Sequence, residues 1–289
     1  METQWPLVIF TFFVCVTCGL LGSMSVLALK GQGRDLQMTA LVASAVSLVI
    51  GGIGSFLHLQ HWERIFNGFG HITSGITQEL IGCVVLAILI VVWFVMLRGG
   101  KKLPVGLSAV TLVAAVAMVC ATAHSYLMAA IPAWSWALVV FYLGNALMMG
   151  PVVLWGIAAI KRDQEVEKTA IGMSLIGAAA SLVADLVYTA VCATATFANY
   201  GHYADPTSMT TAPTHIDGLM DIMVAGDGAV NFWVSLVCVA VVIACAAVAR
   251  KKVGASVPFM AVAVVAAAVA SILFRVLIYQ LGYSVFLLY

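Results

Sequence analysis

Residues 75–97 read GITQELIGCVVLAILIVVWFVML, an unbroken apolar run whose one charged side chain is Glu79. A helix rises about 1.5 Å per residue, so about 20 apolar residues cross a hydrocarbon core about 30 Å thick. Seven further stretches are of the same kind. The eight predicted spans run over about 5–29, 39–59, 75–97, 103–124, 136–160, 169–197, 229–249 and 255–281. A transmembrane β-strand needs only about ten residues of alternating polarity. These runs are continuous and twice as long, so the backbone is expected to satisfy itself as helix. The expected fold is all-α: one polytopic membrane domain over 1–289 with eight transmembrane helices.

Composition agrees. Of 289 residues 63% are hydrophobic and 9% charged, against about 25% charged in a soluble domain. The net charge of +1 points to no polyanionic partner such as nucleic acid. Seven cysteines lie singly in apolar runs and read as small packing residues. Cys15 and Cys18 form a C-x-x-C in mid-span, but no neighbouring His or Cys completes a metal set, and no metal site is expected. Met1–Gln4 carries no positive charge, so the first run is expected to be a span and not a cleaved leader. Gly51, Gly52, Gly54 and the alanines 178–180 suit close helix packing in lipid.

The basic residues give the orientation. Lys30 and Arg34, then Arg98, Lys101 and Lys102, then Lys161, Arg162 and Lys168, then Arg250, Lys251 and Lys252 follow spans one, three, five and seven. The opposite connections hold only Arg64, and Arg275 is inside span eight. By the positive-inside rule the basic connections are cytoplasmic, so both termini are expected outside. Trp5, Trp62, Trp134 and Trp136 fall at the outer interface, where an aromatic belt belongs. The outer connection 198–228 is the longest and holds Asp205, Asp217, Asp221 and Asp227 without Lys or Arg. It reads as a solvated acidic flap or as a platform for an outer partner.

Ionisable residues inside spans are functional candidates by default. Glu79 is about one turn into span three, His58 ends span two, His124 ends span four, and Arg275 lies six residues before the outer end of span eight. All four fall in the outer half; Asp185 is deeper, and the inner half is nearly free of such groups. Each has a plainer reading: interfacial histidines, a carboxylate at a helix N-terminus, and an Arg275–Asp185 pair as structural glue. Their convergence on one leaflet suits a quinol site. Oxidising a quinol needs proton acceptors within hydrogen-bond reach, which His58 and Glu79 supply, with Arg275 as electrostatic anchor. Only His58 and His124 could ligate a haem, both at outer ends, so two stacked haems are excluded. A secondary transporter is the reading from another class. Asp185 supports it, but no internal repeat is visible.

The loop after span two reads His58-Leu59-Gln60-His61-Trp62-Glu63-Arg64-Ile65-Phe66-Asn67, followed by Ser74-Gly75-Ile76-Thr77-Gln78-Glu79. This resembles the membrane anchor subunit of the dimethyl sulfoxide reductase family, with its H-L-x4-R-x-F-N and S-x-[LI]-[ST]-[NQ]-E segments. Trp5-Pro6-Leu7-Val8-Ile9-Phe10-Thr11, Pro132-x-Trp134, Met149-Gly150-Pro151, and Arg275 with Tyr279 agree as well. The chain departs from the pattern in a gap one residue shorter between Asn67 and Glu79. It also has Ala123, His124, Ser125 and Tyr126 where an arginine often precedes Pro-x-Trp. The resemblance implies a haem-free, menaquinol-oxidising subunit in the cytoplasmic (inner) membrane of a bacterium, working in anaerobic respiration. Its partners would be a molybdopterin catalytic subunit and a four-cluster iron–sulfur subunit on the outer face, and it would hold no terminal-substrate site of its own. The residues implied for quinol binding and proton handling are His58 and Glu79. Arg64 and Asn67 would face the partner or the quinone ring, and Arg275 and Tyr279 would complete the pocket. A polysulfide-reductase-type anchor would share the quinone chemistry and differ in partner.

Overall fold

The computed structural model of the protein describes residues 3–59, 67, 70–195 and 218–284. Among these residues are nine helices and no strand: α1 Trp5–Leu29, α2 Arg34–His58, α3 Gly75–Arg98, α4 Val105–His124, α5 Ala137–Lys161, α6 Gln164–Ala193, α7 Leu219–Val224, α8 Ala229–Ala249 and α9 Val257–Gln280. All but the short α7 are long and apolar enough to cross a membrane. An even number of crossings puts the start of α1 and the end of α9 on one face, here called the terminal face. The basic connections form the other.

Hydropathy starts two of these helices too late. α2 begins at Arg34, five residues before the apolar run, and α6 begins at Gln164, where the Asp163 carboxylate accepts from Val166 N at 3.1 Å. A side-chain oxygen that takes one of the unpaired N–H groups lets a helix start outside the apolar layer. The expected 198–228 connection also gains structure. Residues 198–217 lie outside the described residues, but α7 buries Leu219 and Met223, one turn apart, against the bundle.

The helices form two rings of four. α1 touches α2, α2 touches α3, α3 touches α4, and α4 returns to α1; α5, α6, α8 and α9 close in the same way. The rings join through α1 and α5, with α4–α5 and α1–α9 beside them. Both halves start from the terminal face, a repeat of architecture that no sequence similarity announces. Lipid tails are as apolar as Leu, so neighbours are chosen by close packing and hydrogen bonds. At the joint, a Cβ on Gly150 of α5 would fall on the Gly19 backbone of α1. Pro151 cannot donate to Leu147 O, and a Cβ on Gly177 of α6 would fall on that same carbonyl. The outward faces are aliphatic, as with Val84, Ile88, Val91 and Val95 of α3.

On the basic face, hydrogen bonds stitch the connections. Arg34 Nη2 donates to Gly100 O (2.5 Å) and Gln32 Nε2 to Glu165 Oε1 (2.9 Å). Glu167, in the first turn of α6, is buried and accepts from Gly254 N (3.2 Å) and the Ser256 hydroxyl; Ser256 Oγ in turn accepts from Trp155 Nε1 (2.9 Å). The basic-face end of the bundle therefore holds a buried carboxylate, two residues before the start that hydropathy gave α6. A helix N-terminus suits its charge.

Candidate functional site

The site is built where α3 starts and α4 ends, on the terminal face. A Cβ on Gly75 would come within 2.6 Å of Ser125 Cβ, so only glycine lets the first turn of α3 lie directly on the end of α4. One turn further, Glu79 is 8% exposed, and Ser125 Oγ lies 2.6 Å from its Oε1. The same Ser125 oxygen is 2.8 Å from Thr122 O.

Tyr126 turns inward beside this pair. Its hydroxyl meets that of Tyr279, from α9, at 3.1 Å, and both rings are buried. Trp134 stands edge-on to both, with centroids 5.7 and 5.8 Å away, and its Nε1 donates to Ile278 O at 3.1 Å. The Pro132-x-Trp134 element thus clamps the end of α9. Burial pushes the Tyr126 phenol well above its ordinary range, and Tyr142, Tyr279 and Glu79 act in the same direction. It stays a neutral donor. Tyr142 stacks on Tyr126 at 6.1 Å and shares a side-chain hydrogen bond with Thr11.

Thr11 leads to Arg275, which is 1% exposed. Arg275 Nε donates to Thr11 Oγ1 (3.0 Å). Nη1 donates to Ser271 O (2.8 Å) and Oγ (2.7 Å). Nη2 donates to Thr11 O (3.2 Å), Cys15 Sγ (3.1 Å) and Asn145 Oδ1 (3.0 Å). The rings of Tyr142, Phe141 and Phe12 lie 5.2, 5.5 and 5.9 Å from Cζ. Its five N–H groups are spent on neutral acceptors from α1, α5 and α9, and it crosslinks the two rings of helices. The Asp185 pairing does not form. Every Arg275 hydrogen bond goes elsewhere, and Asp185 Oδ1, on α6, is buried without a partner among the described residues. Neutral acceptors on α1, α5 and α9 take the guanidinium instead.

His58 is half-buried at the last position of α2, beside α3 and on the same face as Glu79. His124 and Asn67 are exposed, and Arg64 lies outside the described residues. The structure joins Glu79, Tyr279 and Arg275 by way of Ser125, Tyr126, Tyr142 and Thr11, which sequence reasoning did not single out. The one available signal was the Ser125-Tyr126 pair standing where the family pattern often has arginine. Among the described residues are two cavities of about 260 Å³ each, of which one reaches this network, at Trp134, and the other lies apart from it. One is bounded by Leu127, Met128, Pro132, Trp134 and Trp136 on the terminal face. The other is an apolar crevice among α1, α4, α5 and α6, with Gly19, Gly22, Leu112, Val116, Leu147 and Ile176 on its walls. No group of three metal-ligating side chains occurs among the described residues.

Residues 1–281 match the DMSO reductase anchor subunit (DmsC) family. The chain belongs to that family. It is therefore a multi-pass membrane protein and the membrane anchor of a DMSO reductase complex, which implies catalytic and iron–sulfur partner subunits. Membership selects the DMSO reductase type over the polysulfide-reductase type. No curated protein sequence matches the chain. Among solved structures, the chain is similar to the bd oxidase from Geobacillus thermodenitrificans. The identity is 15% and the TM-score 0.60 over 98% of this chain and 88% of that one. At that identity the likeness concerns the fold alone.

Proposed function

We propose that this anchor binds menaquinol at the terminal face and oxidises it, passing two electrons to the iron–sulfur subunit and releasing two protons on the same side. The observation that carries the reading is Glu79. It is a buried carboxyl at the membrane end of a helix, held by one hydroxyl and standing beside the Tyr126–Tyr279 hydroxyl pair. An ionisable group buried at this depth is costly in lipid, which makes it a functional candidate. Oxidation to the quinone breaks two O–H bonds. In this reading Glu79 takes one proton and His58 the other, since both are within the terminal half and each has a basic atom to offer. Tyr279 and Tyr126 orient a ring oxygen by donating to it. Asn67 and Arg64 belong to the connection that faces the partner. Arg275 acts from behind the tyrosines, with its charge fixed by α1 and α5.

With the basic connections cytoplasmic, the terminal face is extracytoplasmic, so the partners sit outside, no proton is pumped, and the membrane is the inner membrane of a bacterium. The subunit works without haem and leaves the terminal acceptor to the molybdopterin subunit, with four iron–sulfur clusters between.

The test uses membranes that contain the whole complex. Glu79→Gln and His58→Ala should each lower menaquinol-linked reduction at least tenfold. Reduction driven by a dye that feeds the catalytic subunit directly should be unchanged, showing that assembly is intact. Normal menaquinol-linked turnover in both variants would remove these residues from the site.

A further inference from the structure

Ser125 has one hydroxyl proton and two acceptors in reach, Glu79 Oε1 at 2.6 Å and Thr122 O at 2.8 Å. It can serve only one at a time. Thr122 O is an end-of-helix carbonyl, and the N–H that would continue the helix to it, Tyr126 N, bonds Ala123 O instead. The Ser125 hydroxyl is then its donor. We infer that Ser125 is a positioning residue that holds Glu79 in both protonation states by reversing one hydrogen-bond chain, so that the carboxyl takes and gives up a proton without moving. The inference rests on the proposed role of Glu79 as a proton acceptor from quinol.

With Glu79 ionised, Ser125 turns its proton to Oε1 and leaves Thr122 O bare. With Glu79 protonated, the carboxyl donates to Ser125 Oγ and Ser125 donates to Thr122 O. The charged form gains a charge-assisted bond, and the neutral form satisfies one more helix-end carbonyl. Each state has a compensating gain, as a group that cycles between them requires. The heavy atoms are the same in both. Gly75 fixes their separation, because any side chain there would push α3 off Ser125.

The test uses the assembled complex in membranes. The Glu79 carboxyl band is identified in the infrared difference between the menaquinol-reduced and oxidised complex by its loss in E79Q. Ser125→Ala should displace that band and lower kcat for menaquinol oxidation about tenfold, the equivalent of one charge-assisted hydrogen bond. Ser125→Thr, which keeps the hydroxyl, should restore both. Co-purification of the partner subunits verifies assembly. If S125A keeps the band and the rate while E79Q abolishes menaquinol oxidation, the inference falls and the role of Glu79 stands. If E79Q turns over normally, the role of Glu79 falls first. A loss in S125A that S125T does not restore would assign Ser125 to packing and overturn the inference.

Discussion

Replacing Arg275 tests whether a buried cation held by neutral groups stabilises this fold. Six hydrogen bonds leave the guanidinium. Four reach α1 and α5 and two stay on α9; at about 0.6 kcal/mol each, the average between membrane helices applied to all six, they return about 4 kcal/mol. Placing an arginine inside a span costs up to about 3 kcal/mol on insertion scales, the value at the helix centre. The two nearly cancel. Arg275→Met keeps the side-chain length and removes both terms, so its stability should lie within about 1 kcal/mol of the native protein. The acceptors it leaves are not stranded: Thr11 Oγ1 donates to Leu7 O, and Asn145 Oδ1 still accepts from Ser271 Oγ. Arg275→Lys keeps the cost of the charge, but three N–H groups in place of five reach about half of the acceptors. It should lose about 2 kcal/mol. The conservative change is thus expected to be the worse one. SDS-induced unfolding followed by helical circular dichroism gives the order. A Lys variant as stable as the Met variant, or a Met variant more than about 3 kcal/mol below native, would refute the reasoning.

Two other expectations follow from the packing and the tyrosine pair. Gly150→Ala should cost more than the usual 1–3 kcal/mol of overpacking, because its Cβ meets backbone of α1. Gly52→Ala, with nothing within 4 Å, should be neutral or stabilising by up to about 1 kcal/mol; thermal midpoints of the purified complex compare them. The Tyr126 and Tyr279 hydroxyls bond each other, so Y126F and Y279F should each cost about 1 kcal/mol and the double variant little more than either. Tyr126 keeps its proton in the fold above the pH at which an unfolded tyrosine, near 10, loses it. Its contribution is therefore level below about pH 10 and turns destabilising as pH rises beyond that, and Y126F should flatten this alkaline loss in an unfolding titration.

The crossings were legible because hydropathy is a local sum. A run such as 75–97 identifies itself, and the basic residues cluster on one face whatever the helices do in three dimensions. Glu79 was legible for the same reason, as a lone carboxylate in such a run. The helix starts at Arg34 and Gln164 were not, since charged first turns lie outside the apolar layer; at α6 the Asp163 cap sets the start, and α2 simply follows the left-handed Gly33. Nor was α7, whose two buried residues count only once a bundle exists to receive them.

By itself the sequence determined a count of crossings, two chemically distinct faces, and the candidates His58, Glu79 and Arg275. Only the tertiary structure decided what those candidates touch. Ser125 reaches Glu79 across 46 positions and Arg275 reaches Thr11 across 264. Lipid offers no hydrophobic force to choose such neighbours. The choice falls to backbone approach at Gly19, Gly75, Gly150 and Gly177 and to the acceptors that approach delivers. A one-dimensional pattern records that a glycine is present, but not which helix it admits.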